Sequence, residues 1–209
     1  RRRQRQMCIR DSIKGLDAAE FPLLPEVKPE IRFDINIDIF KKALQQTVLA
    51  SASDSSRPEL GNVLMKLEEG NMVLAATDSY RLAEKRLLLE KNLNTTVLIP
   101  QTTLQEVNRI FDEGEESLVS IEMNENQIRF STTSCFLISR IAEGQFPDYQ
   151  QIIPSQNKTQ CVVRTFDFSR AVRAASIFCR QGIDDVKLEL KNNKIIINAI
   201  NDKVGDSTI

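Results

Sequence analysis

Apolar residues recur along the chain with two different periods, and the switching between them sets out a regular order of elements. Ile31–Ile35 alternates apolar and polar, the period of a half-buried strand. Asp38–Ala50 then places Phe40, Ala43, Leu44, Thr47 and Val48 at helical spacing. Asn62–Leu67 and Met72–Ala76 read as strands joined by a turn around Glu69-Gly70-Asn71, and Arg81–Leu89 and Thr96–Ile99 as further strands. A second helix is expected over Thr102–Phe111, with Leu104, Val107 and Phe111 on one face and Gly114 ending it. Leu118–Met123, Gln127–Thr132 and Phe136–Ala142 follow as strands, the first two joined through Asn124-Glu125-Asn126.

The pattern then restarts. Gln160–Arg164 reads as a strand, and Asp167–Arg180 as a helix with Phe168, Ala171, Val172, Ala175 and Cys179 on its inner face. Val186–Leu190 and Lys194–Ala199 form a hairpin around Asn192-Asn193. The connectors ahead of the two copies also match, AEFPLLP at Ala19–Pro25 and GQFPDYQQIIP at Gly144–Pro154, so Phe21 and Phe146 stand 146 − 21 = 125 positions apart. A period of that size implies tandem domains; solenoid repeats run to about 20–50 residues. The expected division is a domain tail and connector over 13–28, a complete domain over 29–143, a connector over 144–159, and the opening half of a further domain over 160–209. On this reading the chain is a fragment.

The first dozen residues, RRRQRQMCIRDS, stand apart, with five Arg against one Asp and no apolar periodicity. A nucleic-acid-binding arm, a targeting peptide and a foreign, adapter-like segment compete; we set residues 1–12 aside as non-native. Without them 23 basic groups face 28 acidic ones, a net charge of −5.

Composition removes several chemistries. The chain has no histidine, which excludes Ser-His-Asp and Cys-His nucleophile arrangements and histidine-ligated metals. Its cysteines, Cys8, Cys135, Cys161 and Cys179, form no C-x-x-C and read as reduced thiols of a cytoplasmic protein. Seven glycines form neither a GxGxxG nor a P-loop. No apolar run approaches the about 20 residues of a membrane-spanning helix. Asp54 in the Ser51–Arg57 loop, together with Asp78, offers oxygen ligands to a hard cation; the same loop reads equally as a polar connection rich in turn formers. The sides of the helices opposite the apolar stripes carry Lys41, Lys42, Arg109, Arg170 and Arg173, either as ordinary solvated faces or as a surface for a polyanion.

Three strings occur in order: SRPELGNVL (Ser56–Leu64), ATDSYRLA (Ala76–Ala83) and EGQFPDYQQIIP (Glu143–Pro154). With them the chain, from about Gly15 to Ile209, resembles the bacterial DNA polymerase III beta subunit, the replicative sliding clamp. The resemblance implies an α+β clamp fold of tandem repeated domains, each with two helices packed against antiparallel sheets. It would cover the end of a first domain, all of a second and the first half of a third. It further implies a non-catalytic processivity factor without cofactor or metal, closing head-to-tail as a homodimer around duplex DNA with no sequence preference. Lys41, Lys42, Arg109, Arg170 and Arg173 would face the DNA; after Ile99-Pro100 many clamps carry basic residues where this chain has Gln101 and Thr102. Tails of the replicative polymerase and clamp loader would dock as short linear motifs on Leu60, Thr77, Tyr80, Arg81, Leu82, Pro147, Gln151, Ile152 and Ile183. Gln151 stands where relatives often have Arg.

Overall fold

A computed structural model describes residues 14, 15, 17, 28–52, 57–111, 118–179, 185–191, 194–201 and 205–209. The adapter-like segment, the first connector, Asp54, Gly114, Arg180, Ile183 and the turn Asn192-Asn193 lie outside them. The chain divides between Pro147 and Asp148 into two compact units.

Unit 1 runs β1 (Ile31–Asn36), α1 (Ile37–Thr47), β2 (Asn62–Glu68), β3 (Asn71–Thr77), β4 (Leu82–Leu88), β5 (Thr95–Pro100), α2 (Gln101–Ile110), β6 (Leu118–Met123), β7 (Gln127–Ser131) and β8 (Phe136–Arg140). Its strands form two antiparallel four-stranded sheets, ordered β1-β6-β7-β8 and β4-β3-β2-β5. Ala142 bridges to Leu98 of β5. The α+β class expected from the sequence is what forms.

Local chemistry explains the element ends. Asn36 caps α1, its side-chain oxygen accepting from the Ile39 amide at 3.1 Å. The helix expected to reach Ala50 stops at Thr47, whose hydroxyl donates to the Ala43 carbonyl, and Val48–Ala50 tightens into a 3-10 turn. Glu69 and Gly70, with φ of 48° and 75°, make the two-residue loop between β2 and β3; left-handed backbone at both positions matches the twist of the flanking strands. One core joins both sheets and both helices: Phe33 and Ile35 of β1, Phe40 and Leu44 of α1, Met65 and Leu67 of β2, Leu104 and Val107 of α2, Ile121 of β6 and Phe130 of β7. Phe40 and Phe130 stack across it with centroids 6.0 Å apart.

Unit 2 contains a 3-10 turn at Tyr149–Ile152, α3 (Thr165–Ser176), β9 (Lys187–Lys191), β10 (Lys194–Asn201) and β11 (Gly205–Thr208), the strands ordered β11-β10-β9. Ala175, Cys179, Ile197 and Ala199 form its small core. Two expectations change here. Gln160–Arg164 is not a strand: the segment is exposed and has no strand partner among the described residues. β11, whose Gly-Asp-Ser-Thr has no apolar alternation, was not expected and owes its existence to pairing with β10.

Candidate functional site

The turn after β3 is the most highly organised polar feature of unit 1. Both carboxylate oxygens of Asp78 are engaged. Oδ1 accepts from the amides of Tyr80 and Arg81 at 3.0 and 2.9 Å, and Oδ2 accepts from the Arg81 guanidinium at 2.9 Å. The buried hydroxyl of Thr77 donates to the Arg81 carbonyl at 2.8 Å and receives the Ser79 amide at 3.2 Å. Partial burial pushes the Asp78 carboxyl up, but the Arg81 and Tyr80 amides and the guanidinium together overcome it and hold it below its ordinary range. Ser79 is thereby kept at a φ of 76°, a left-handed conformation uncommon for a residue with a Cβ. Arg57 reaches across from the neighbouring loop to the Ser79 hydroxyl at 3.2 Å. The consequence falls on Tyr80, which this network lifts clear of the protein: it is 99% exposed. A cation held by Asp78 would compete with the three donors its carboxylate already serves.

The residues expected to hold a partner peptide divide between the units. Leu60 is buried within the 3-10 turn Pro58–Gly61, which Asn62 stabilises by donating to the Pro58 carbonyl at 2.9 Å. Thr77 is buried, Leu82 half-buried at the start of β4, and Arg81 and Pro147 exposed. Within unit 1 the Arg57–Ser79 bond joins the loop leading to Leu60 to the Thr77–Leu82 turn. Gln151 and Ile152 belong to unit 2, both exposed on the 3-10 turn Tyr149–Ile152, with Gln151 donating to Asp148 at 2.7 Å.

The basic helix residues are not equivalent. Lys42 is exposed on α1, as are Arg170 and Arg173 on α3. Arg109 is exposed on α2 but pairs with Glu106 at 2.6 Å, which raises its pKa and offsets its charge. Arg170 lies over the Phe166 ring, 5.7 Å from its centroid. With Arg173, Asp167 and Ile209 it borders a hollow of about 430 Å³. Lys41 corrects the expectation of an outward face. It is buried, and its ammonium donates to the Phe111 carbonyl at 2.6 Å. The signal was present in the sequence: Ile37, Lys41, Leu44 and Val48 fall at i, i+4, i+7 and i+11 on the apolar stripe, and the lysine stem packs there. Sequence reasoning also missed the role of Gln101. At the first position of α2 its amide donates to the Ala52 carbonyl at 3.0 Å, and its oxygen lies 2.5 Å from the Ser51 hydroxyl, so it fastens the loop after α1.

The chain as a whole is similar to known proteins. The profile of the central domain of the DNA polymerase III beta subunit matches residues 34–148. The beta sliding clamp of Bacillus subtilis is 35% identical over 183 residues, 86% of this chain and 48% of that protein. That of Halalkalibacterium halodurans is 33% identical over 204 residues, 94% of this chain and 53% of its own length. Among solved structures, the Bacillus subtilis DNA polymerase sliding clamp aligns over 93% of this chain and 52% of that one, with a TM-score of 0.86 at 34% identity. The sliding clamp of Bartonella birtlesii, solved bound to griselimycin, aligns over 93% and 54% with a TM-score of 0.82 at 27% identity. The chain thus spans about half the length of the relatives it matches. With its central unit matched by that profile and the likeness extending through unit 2, the chain belongs to the DNA polymerase III beta subunit family.

Proposed function

We propose that this chain is a section of a non-catalytic processivity clamp, a cytoplasmic head-to-tail homodimer that encircles duplex DNA and tethers the replicative polymerase. The observation that carries the DNA reading is an equivalence between the units. Two positions after a core-facing phenylalanine, each opening helix exposes a cation: Phe40 precedes Lys42 and Ala43, and Phe168 precedes Arg170 and Ala171. A cation at the same point of two separate modules fits a repeating polyanion better than one isolated contact. Lys42, Arg170 and Arg173 would meet phosphates, with Arg109 a weaker contributor because Glu106 shares its charge. Such contacts read no base and are weakened by salt, which allows sliding once a ring has supplied the topological link. Among the described residues no helix is long and apolar enough to cross a membrane.

The test is a chimaera in which residues 29–209 replace the matching stretch of the Bacillus subtilis clamp. Substituting Lys42, Arg170 and Arg173 by Glu is expected to abolish retention on circular DNA while leaving binding of a polymerase tail peptide unchanged. Retention at the unmodified level would overturn the DNA assignment.

The peptide reading rests on Tyr80. An aromatic side chain exposed by a rigid turn, beside half-buried Leu82 and the charged Arg81, supplies an anchor together with an orienting group. Leu60, Thr77 and Pro147 complete the set proposed within unit 1 for polymerase and clamp-loader tails, and Gln151, Ile152 and Ile183 are the residues proposed within unit 2.

A further inference from the structure

Leu60 sits on the 3-10 turn Pro58–Gly61, whose carbonyls are accounted for one by one. The Arg57 carbonyl accepts the Leu60 amide at 3.0 Å, and the Leu60 carbonyl accepts the Ala52 amide at 2.9 Å. Asn62 supplies the rest. Its main-chain N–H donates to the Glu59 carbonyl, and its side-chain amide donates to the Pro58 carbonyl at 2.9 Å and more distantly, at 3.5 Å, to that of Glu59. The turn thus uses the nitrogen end of the Asn62 side chain and leaves the oxygen end, Oδ1, without a partner among the described residues. Holding the turn calls only for a donor. An idle acceptor on a side chain that is 8% exposed is unfavourable, because burial removes most of the water that would otherwise serve it.

The strand register sets Asn62 among the proposed docking residues of unit 1. It opens β2 opposite Pro100 of β5. The β2–β3 ladder pairs Leu64 with Ala75; two steps further along, Asn62 comes level with Thr77, which itself faces Leu82 of β4. Asn62, Thr77 and Leu82 therefore share one row on one face of the sheet, with neighbouring Cβ atoms about 5 Å apart. Leu60 precedes Asn62 by two positions. Leu60 and Leu82 are apolar, and the Thr77 hydroxyl already donates to the Arg81 carbonyl and accepts the Ser79 amide. Of these four side chains, Asn62 carries the unfilled acceptor.

We propose that Asn62 is a specificity-determining residue of the tail site, its Oδ1 accepting a main-chain N–H of the docked segment beside the apolar side chain laid against Leu60 and Leu82. The inference rests on the peptide reading and adds to it the backbone form of the ligand. A free N–H next to the anchor belongs to extended chain, since the interior N–H groups of a helix are spent on its own carbonyls. Proline, which has no N–H, is excluded at that position. Discrimination is strong because a ligand lacking the donor seals the oxygen away from water and leaves it unpaired.

Amide-to-ester scanning of the polymerase tail peptide against the chimaera is the test, because an ester replaces one N–H by oxygen and leaves the protein untouched. One ester position is expected to weaken binding by about tenfold. Against Asn62→Leu the same ester should cost less than about twofold, the coupling expected of a direct pair. Because Asn62→Leu also removes the donor that holds the turn, the unmutated protein provides a second readout. The Asn62 side-chain 13Cγ resonance should move downfield with the all-amide peptide and stay in place with that ester. A scan in which no ester's cost depends on Asn62, or a resonance indifferent to the ester, would overturn the inference. Tyr80→Ala separates the two levels. If it weakens binding while Asn62 shows no coupling, this inference alone falls; if neither residue affects binding, the peptide reading falls with it.

Discussion

The ammonium of Lys41, midway along α1, donates to the main-chain carbonyl of Phe111 at the end of α2, 2.6 Å away and shielded from water. Phe111 is the C-terminal cap residue of α2, where helix carbonyls lack intrahelical partners and carry the negative end of the helix dipole. One helix therefore supplies the cation that closes the other.

Replacing Lys41 by Met keeps the apolar stem and removes the donor to a buried carbonyl. The expected cost is about 1–3 kcal/mol in urea unfolding, whereas Lys42→Met, on the exposed face, should change stability by less than about 0.5 kcal/mol. In DNA-retention assays of the chimaera the order should reverse, with Lys42 mattering more.

Asp78 provides a pH signature. Its folded carboxyl titrates below the ordinary value of 3.8, so its contribution is complete above that value and is lost as pH falls through the lower folded one. Asp78→Asn should flatten this part of the acid-side stability profile of unit 1. It should also release the turn, seen as faster amide exchange at Tyr80 and Arg81.

Tyr80→Ala should leave unfolding unchanged, because the ring buries almost nothing in the free protein, yet weaken polymerase-tail binding by about tenfold or more if it is an anchor. Calorimetric titration of wild type and variant against one tail peptide checks both halves.

On β9, Lys187 and Lys191 donate to Glu189 at 2.8 and 2.7 Å and lower its carboxyl to about 2. Carboxyl NMR should place its midpoint there at low ionic strength. Added salt should raise the midpoint, because exposed pairs are screened.

The two core phenylalanines measure the difference between the modules. Phe40 is fully buried and Phe168 only partly. Phe40→Ala should cost about 3–5 kcal/mol and Phe168→Ala less than half as much, read by hydrogen exchange in each unit.

Much of this protein was legible in its sequence. The stripe of Phe40, Ala43, Leu44 and Thr47 announces α1, the alternation of Ile31, Phe33 and Ile35 announces β1, and ATDSYRLA marks both a turn and a family. Tyr80 could be placed on that turn, but its complete exposure follows from how Asp78 and Thr77 bind the backbone around it. β11 could not be read, because Gly-Asp-Ser-Thr has no apolar pattern and becomes a strand only beside β10. Gln160–Arg164 shows the converse, a strand-like string that joins no strand among the described residues.

The sequence by itself determined the elements, the recurrence of one module and the family, because periodicity and short motifs are carried by neighbouring residues. Only the tertiary structure decided that first strands are exchanged between modules and that Lys41 faces inward. Those outcomes depend on which segments meet across long stretches of chain, where backbone donors and acceptors are satisfied by whichever partner the packing of the core brings alongside.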